Sequence, residues 1–158
     1  MLNLSRKSDY ALIALTELAR LQRDEEGAIS ARELAERFSL PPALLMNVLK
    51  NLARRSLVLS RRGVYGGYEL KAAANEISVI DVVTAVDGPV RFAACSSASK
   101  QAGEGCELEA GCPIRSPIGK LHREIVSLLE KTTVADLLED ADYNKNGRVS
   151  ATIELTPA

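Results

Sequence analysis

The sequence predicts a mainly α-helical fold with a small β-wing, a winged helix-turn-helix followed by a long C-terminal dimerisation helix. Three observations predict it. Two short amphipathic segments meet at the turn Ser39-Leu40-Pro41-Pro42, and a basic hairpin punctuated by glycine follows them. Further on, Ile118, Leu121, Ile125 and Leu128 step by three and four residues, the spacing of a coiled-coil seam.

Taken in order, Leu12, Leu15, Leu18, Ala19 and Leu21 repeat at helical spacing from about Ser8, with Ser5 or Ser8 as cap, and Asp24-Glu25-Glu26-Gly27 ends this first helix. Ser30-Ala31-Arg32-Glu33 reads as a capping box, in which hydroxyl and carboxylate each satisfy a free backbone N–H. It opens a short second helix with Leu34, Ala35 and Phe38 on its apolar stripe. Proline suits a helix start because its missing N–H would go unused there. After Pro42, the residues Leu44, Leu45, Val48, Leu49 and Leu52 define a third helix ending near Arg55.

Leu57-Val58-Leu59-Ser60 is strand-like, Arg61 to Gly67 turns, and Tyr68-Glu69-Leu70 returns as a second strand. The glycines lack the spacing and the following helix of a dinucleotide fingerprint, which sets nucleotide binding aside. Ser78, with Asp81 at the box position, caps a helix from about Val79 to Asp87; Ile80, Val83 and Val86 form its expected buried side, and Gly88-Pro89 stops it. Ser116-Pro117 opens the long helix, and Thr133 to Asp136 caps a last short one through about Asp140. Asp142 to Gly147 imitates the start of a calcium loop, but Ile153 stands where the bidentate glutamate belongs, so residues 141–158 read as a polar tail.

Charge divides the chain. Residues 1–71 hold 12 Lys and Arg against 8 Asp and Glu, and the remainder holds 8 against 13, so the first part is the basic one. No acid occurs between Phe38 and Tyr68, while Lys50, Arg54, Arg55, Arg61 and Arg62 all do. An acid-free basic face suits a polyanion, because neutralised phosphates supply most non-specific nucleic-acid affinity. A plain solvated face is the other reading of the same charges. An arginine on a narrow wing can enter a minor groove, where the negative potential is enhanced.

All three cysteines fall in one polar, glycine-containing stretch, with the spacing Cys95-x10-Cys106-x5-Cys112. Their odd number argues against a disulfide scaffold and for metal or redox chemistry in a reducing compartment. Three thiolates can hold an iron-sulfur cluster and leave one iron site to a different ligand. Structural zinc knuckles have closer spacing, and thiol redox chemistry without metal is the remaining alternative. A thiol-dependent enzyme is a rival class, but no histidine lies near the cysteines and no phosphate loop or nucleophile elbow is present. No apolar run approaches the roughly 20 residues of a membrane span, and the polar N-terminus points to a cytoplasmic protein.

The strings Leu-Ser-Arg-Lys-Ser-Asp-Tyr-Ala-Leu near the start, Arg-Gly-x-x-Gly-Gly-Tyr in the wing and Ala-Val-Asp-Gly before a three-cysteine loop resemble the Rrf-two family of winged-helix regulators, over roughly residues 1–140. The resemblance implies a homodimeric transcription factor on double-stranded, pseudo-palindromic DNA. In many members an iron-sulfur cluster, of 2Fe-2S or 4Fe-4S type, sits in the loop, and an aerobically prepared sample can lack it. Cys95, Cys106 and Cys112 are the implied thiolate ligands; the first interval is about five residues longer than the family's usual one.

Members that use a histidine three positions after the third cysteine have their counterpart here in Arg115, which cannot ligate. Others use an aspartate at the start of the first helix, given by the other subunit, and Asp9 matches that place. An acid in a first helical turn is also stabilised by the helix dipole alone. The single histidine, His122, lies off the apolar stripe, as a surface or interface residue does.

For DNA, the family puts Pro42, Ala43 and the residues through Asn47 at base edges and a wing arginine, matched by Arg62 with Arg61 beside it, in the minor groove. Asn47 and Lys50 can bond to bases or phosphate, and Arg54 and Arg55 suit the backbone. Ala43, Leu44 and Met46 stand where the iron-sulfur-biogenesis members carry polar or acidic readers. The expected organisation is a DNA-binding domain over 1–74, the cysteine loop and dimerisation helices over 75–140, with Ile118, Leu121, Ile125 and Leu128 at the dimer interface, and the tail over 141–158.

Overall fold

The computed structural model of the chain describes residues 4–63, 66–91 and 111–145. Its elements are α1 (Arg6–Arg23), α2 (Ala31–Arg37), α3 (Pro42–Arg54), β1 (Val58–Arg61), β2 (Gly67–Leu70), a 3-10 turn (Ala74–Glu76), α4 (Val79–Asp87), α5 (Arg115–Lys131) and α6 (Val134–Lys145). Ser5 is the cap of α1: its hydroxyl accepts from the N–H groups of Lys7 and Ser8 at 3.1 and 3.2 Å. Ser8 itself is a fully buried residue in the first turn.

The capping boxes of α2 and α4 are both formed, by Ser30 with Glu33 and by Ser78 with Asp81. Three helices end alike, each followed by a non-glycine residue in the left-handed region: Glu25 (φ 56°), Ser39 (φ 52°) and Ser56 (φ 61°). In each case an N–H reaches back to a carbonyl inside the last turn: Glu26 to Leu21, Leu40 to Ala35 and Leu57 to Leu52. These bonds satisfy carbonyls that a helix end otherwise leaves unpaired.

β1 and β2 pair antiparallel with Val58 opposite Leu70 and Arg61 opposite Gly67. The hairpin does not hang free. Tyr68 exchanges both backbone hydrogen bonds with Ile29, at 2.7 and 3.1 Å, which pins β2 to the segment entering α2. The approach is so close that a β-carbon on Gly67 would meet the Ile29 carbonyl, so this position takes only glycine.

One aliphatic cluster forms the core. Leu15 and Leu18 of α1, Leu34 of α2, Leu45, Leu49 and Leu52 of α3, Val58 and Leu70 of the wing, Val82 of α4, and Val134 and Leu138 of α6 belong to it. It therefore crosses the boundary expected near residue 74. The starts of α4 and α6 are tied together, since the Val79 N–H donates to Thr132 and the Val134 N–H to Ile77.

Several details differ from the sequence reading. Phe38 caps the end of α2 and is exposed, because the helix stops one residue before it. On α4 the buried residues are Val79, Val82, Val83 and Val86, and Ile80 is only half-buried, since packing against α1 and α3 selects one of several apolar phases in this run. α5 begins at Arg115, one residue before Ser116. α6 continues to Lys145, beyond the expected end near Asp140, so residues 141–145 are helical and the imitation of a calcium loop begins inside a helix. No glycine or proline occurs between Asp140 and Gly147.

Candidate nucleic-acid interface and cysteine site

α3 owes its orientation to its buried side. Leu45, Val48, Leu49 and Leu52 enter the core, which turns Ala43, Met46, Asn47, Lys50 and Arg54 outward along one exposed face, with Pro42 exposed at its start. Arg55 follows the helix and departs from that face, bordering a shallow hollow with Leu57, Asp81, Thr84 and Ala85.

Arg61 and Arg62 are both exposed on the wing, but they differ in their partners. The Arg61 guanidinium donates to Glu69 at 2.7 Å, whereas among the described residues Arg62 makes no ion pair. The wing also touches α3, for the Tyr68 hydroxyl lies 4.0 Å from the Met46 sulfur. Helix face and wing are thus braced against each other.

Of the three cysteines, Cys95 and Cys106 lie outside the described residues. Cys112 is a half-buried free thiol, and its carbonyl accepts the Arg115 N–H in the turn that opens α5. Asp9 is exposed in the first turn of α1, and its carboxylate makes no hydrogen bond to the described residues. The described residues hold no group of three or more potential metal ligands.

Beside Asp9, the chain makes a connection that sequence reasoning missed. The Ser8 hydroxyl donates to the Asp87 carboxylate at 2.6 Å, and the Ser5 hydroxyl donates to the same oxygen. Asp87 is the last residue of α4, followed by Gly88 in a conformation (φ 85°) that favours glycine, and the chain then enters the cysteine stretch. The start of α1 is therefore fixed to the root of that stretch. One signal was legible: an acid at a helix C-terminus opposes the dipole, so it calls for a partner elsewhere.

A second missed group is Glu17, a nearly buried carboxylate on α1. It accepts from Arg20 at 3.0 Å and from Arg37 at the end of α2, and Arg20 also reaches Glu26 at 3.0 Å and Asp24 at 2.8 Å. This network sets α2 against α1.

On α5 no residue is buried. Ile118 and Ile125 are half-buried, while Leu121 and Leu128 are exposed, Leu128 to 63%. The seam residues are thus a largely uncovered apolar stripe. His122 is half-buried beside them, and its Nδ1 is buried with no hydrogen-bond partner among the described residues. No helix among the described residues is long and apolar enough to cross a membrane.

A helix-turn-helix with a pinned two-stranded wing defines a winged-helix protein of the kind that serves in transcriptional regulation. The chain belongs to the Rrf2 family, described as iron-dependent transcriptional regulators, whose family model matches residues 4–140. It is 34% identical to an rrf2-like HTH-type transcriptional regulator of Rhodobacter capsulatus, over 85% of this chain and 91% of that protein. It is 30% identical to the HTH-type transcriptional regulator IscR of Pectobacterium carotovorum, over 98% of each. Among solved structures it resembles CymR, the global cysteine regulator of B. subtilis, with a TM-score of 0.69 and 27% identity over 88% of this chain and 98% of that one. T. potens IscR is similar at a TM-score of 0.70 and 27% identity, over 95% and 94%. The protein is accordingly a transcriptional regulator, and membership of this family implies DNA binding.

Proposed function

We propose that the protein is a cytoplasmic homodimeric repressor or activator that binds a pseudo-palindromic operator through α3 and the wing, with affinity set by an iron-sulfur cluster in the cysteine loop. The exposed face of α3, braced by Tyr68 and free of acids, carries this reading. Ala43 and Asn47, behind Pro42 at the helix start, face base edges; Lys50 faces bases or phosphate, and Arg54 at the far end faces the backbone. Arg62 is the wing residue for the minor groove, and Arg61 takes part less, being held by Glu69. Arg55 is left to a flanking phosphate.

Ile118, Leu121, Ile125 and Leu128 supply the dimer seam. An exposed leucine stripe on an amphipathic helix of 17 residues is covered most simply by its own copy in a two-fold pair. Cys95, Cys106, Cys112 and Asp9 of the second subunit would hold the cluster. The donor set fits it: Cys112 is a free thiol and Asp9 an exposed carboxylate, and both are able to ligate iron. Bound there, the cluster supplies a centre sensitive to iron supply, oxygen or nitric oxide. What this chain contributes is position. Asp87 holds Ser8, the neighbour of Asp9, against the root of the cysteine stretch, so a change at the loop is passed to α1, on which α3 packs.

Anaerobic preparation with iron and sulfide, followed by visible absorption, iron and sulfide counts and mobility shift on DNA, tests the reading. A coloured dimer whose affinity changes on cluster loss, and whose cluster is weakened by Asp9→Ala, is expected. A colourless protein whose DNA affinity responds to thiol oxidation would replace the cluster with a metal-free redox sensor.

A further inference from the structure

The outward residues of α3 have an unusual composition for a base-reading helix. Ala43, Met46, Asn47 and Lys50 stand at positions i, i+3, i+4 and i+7, all exposed, and no arginine occurs among them. The first arginine on this face is Arg54, about three turns from Ala43. Arginine is the commonest reader of guanine, and acids are what accept from cytosine; this face has neither at its centre. Apolar side chains gain from only one feature of the major groove, the methyl group of thymine, and an asparagine amide matches the two polar atoms adenine presents there. A guanine or cytosine edge placed against Met46 would lose its hydrogen bonds to water without replacement.

Met46 is also held in place. It is a large apolar side chain 39% exposed, and its sulfur lies 4.0 Å from the Tyr68 hydroxyl on β2, which limits a residue that is otherwise adaptable. With a rise of about 1.5 Å per residue, Ala43 to Asn47 spans about 6 Å, enough to face two adjacent base pairs.

We propose that Ala43, Met46 and Asn47 specify adjacent A·T pairs in each half-site, with Asn47 bonding adenine and Met46 and Ala43 packing on thymine methyl groups. This rests on the DNA-binding reading above. Lys50 lies a turn further on and meets a guanine or a phosphate at the edge of the A·T step.

The test uses the full-length dimer, cluster-loaded and cluster-free, to select from a random-sequence duplex library. The selected half-site should carry adjacent A·T pairs, and replacing their thymines by deoxyuridine, which removes only the methyl, should weaken binding about fourfold per contacted thymine. Met46→Gln should remove that sensitivity at the thymine Met46 contacts while leaving it at the thymine Ala43 contacts; loss of sensitivity at neither would overturn the assignment of Met46. G·C pairs at these positions, or A·T pairs bound equally well with deoxyuridine, would overturn the inference, the latter by showing readout through groove shape. Failure to retain any duplex in either state would instead remove the DNA-binding reading itself.

Discussion

The Ser8 hydroxyl and the Asp87 carboxylate meet at 2.6 Å although 79 residues separate them in the chain. Ser8 is fully buried, so the carboxylate supplies the one hydrogen-bond acceptor its hydroxyl has among the described residues. Hydrogen bonds to a charged group contribute more than neutral ones, about 1.5–3 kcal/mol. Asp87→Ala is therefore expected to cost about 1.5–3 kcal/mol in urea denaturation. Ser8→Ala removes both the donor and its need for a partner and should cost less. The double variant should fall short of the sum, since both changes remove the same bond.

Glu17 and Arg37 join α1 to α2, but unequally. Arg37→Ala leaves Glu17 still paired with Arg20, and the Arg37 side chain is 45% exposed, so its loss should cost less than about 1 kcal/mol. Glu17→Ala removes a nearly buried acceptor from both Arg37 and Arg20, although Arg20 keeps Asp24 and Glu26, and should cost about 1–3 kcal/mol. Chemical denaturation of the two variants at low and high salt checks the order. The Arg37 effect should shrink with salt more than the Glu17 effect does.

The elements that local chemistry specifies were legible in the sequence. Ser30 with Glu33 and Ser78 with Asp81 bond within four residues, so their boxes could be read before any tertiary structure. Pro42 began α3, and the leucine and valine spacing after it gave the face that turns Ala43, Asn47 and Lys50 outward. Contacts between distant segments were not legible. Nothing near Ser8 names Asp87, and nothing near Met46 names Tyr68, because those pairs exist only once the core has formed. Ile80 was misplaced for a related reason: in the run Val79-Ile80-Asp81-Val82-Val83 several apolar phases compete, and packing against α1 and α3 selects one. Of the cysteine site, Cys112 and Asp9 can be placed, while Cys95 and Cys106 lie outside the described residues.

Acid should destabilise the fold in a definite window. The Arg20 hydrogen bond holds the Glu26 carboxyl below its usual range, and hydrogen bonds from Ser30 do the same for Glu33. Asp24 is lowered chiefly by Arg23, and Asp136 by the Thr133 backbone N–H. Groups with a depressed folded pKa stabilise above their unfolded pKa, about 4, and lose that contribution as pH falls through the folded value. Thermal melts should thus be level from neutral pH to about pH 5 and decline below about 4. Asp136→Asn should make the decline shallower; an unchanged slope would take Asp136 out of the acid response.

The end of α3 offers a gain in stability. Ser56 occupies the left-handed region at φ 61°, where a β-carbon crowds the following carbonyl, yet the position is needed so that the Leu57 N–H can reach the Leu52 carbonyl at 3.0 Å. Glycine adopts that conformation without the clash, which is worth about 1–2 kcal/mol for an ordinary residue. It also adds freedom to the unfolded chain, which opposes the gain by about 0.4–1 kcal/mol. Relief of the clash is the larger effect. Ser56→Gly should therefore stabilise the protein by about 0.5–1 kcal/mol in urea denaturation. The Ser56 side chain is exposed, so no packing is lost to offset this. Ser56→Val, branched at the β-carbon, should shift stability in the opposite direction.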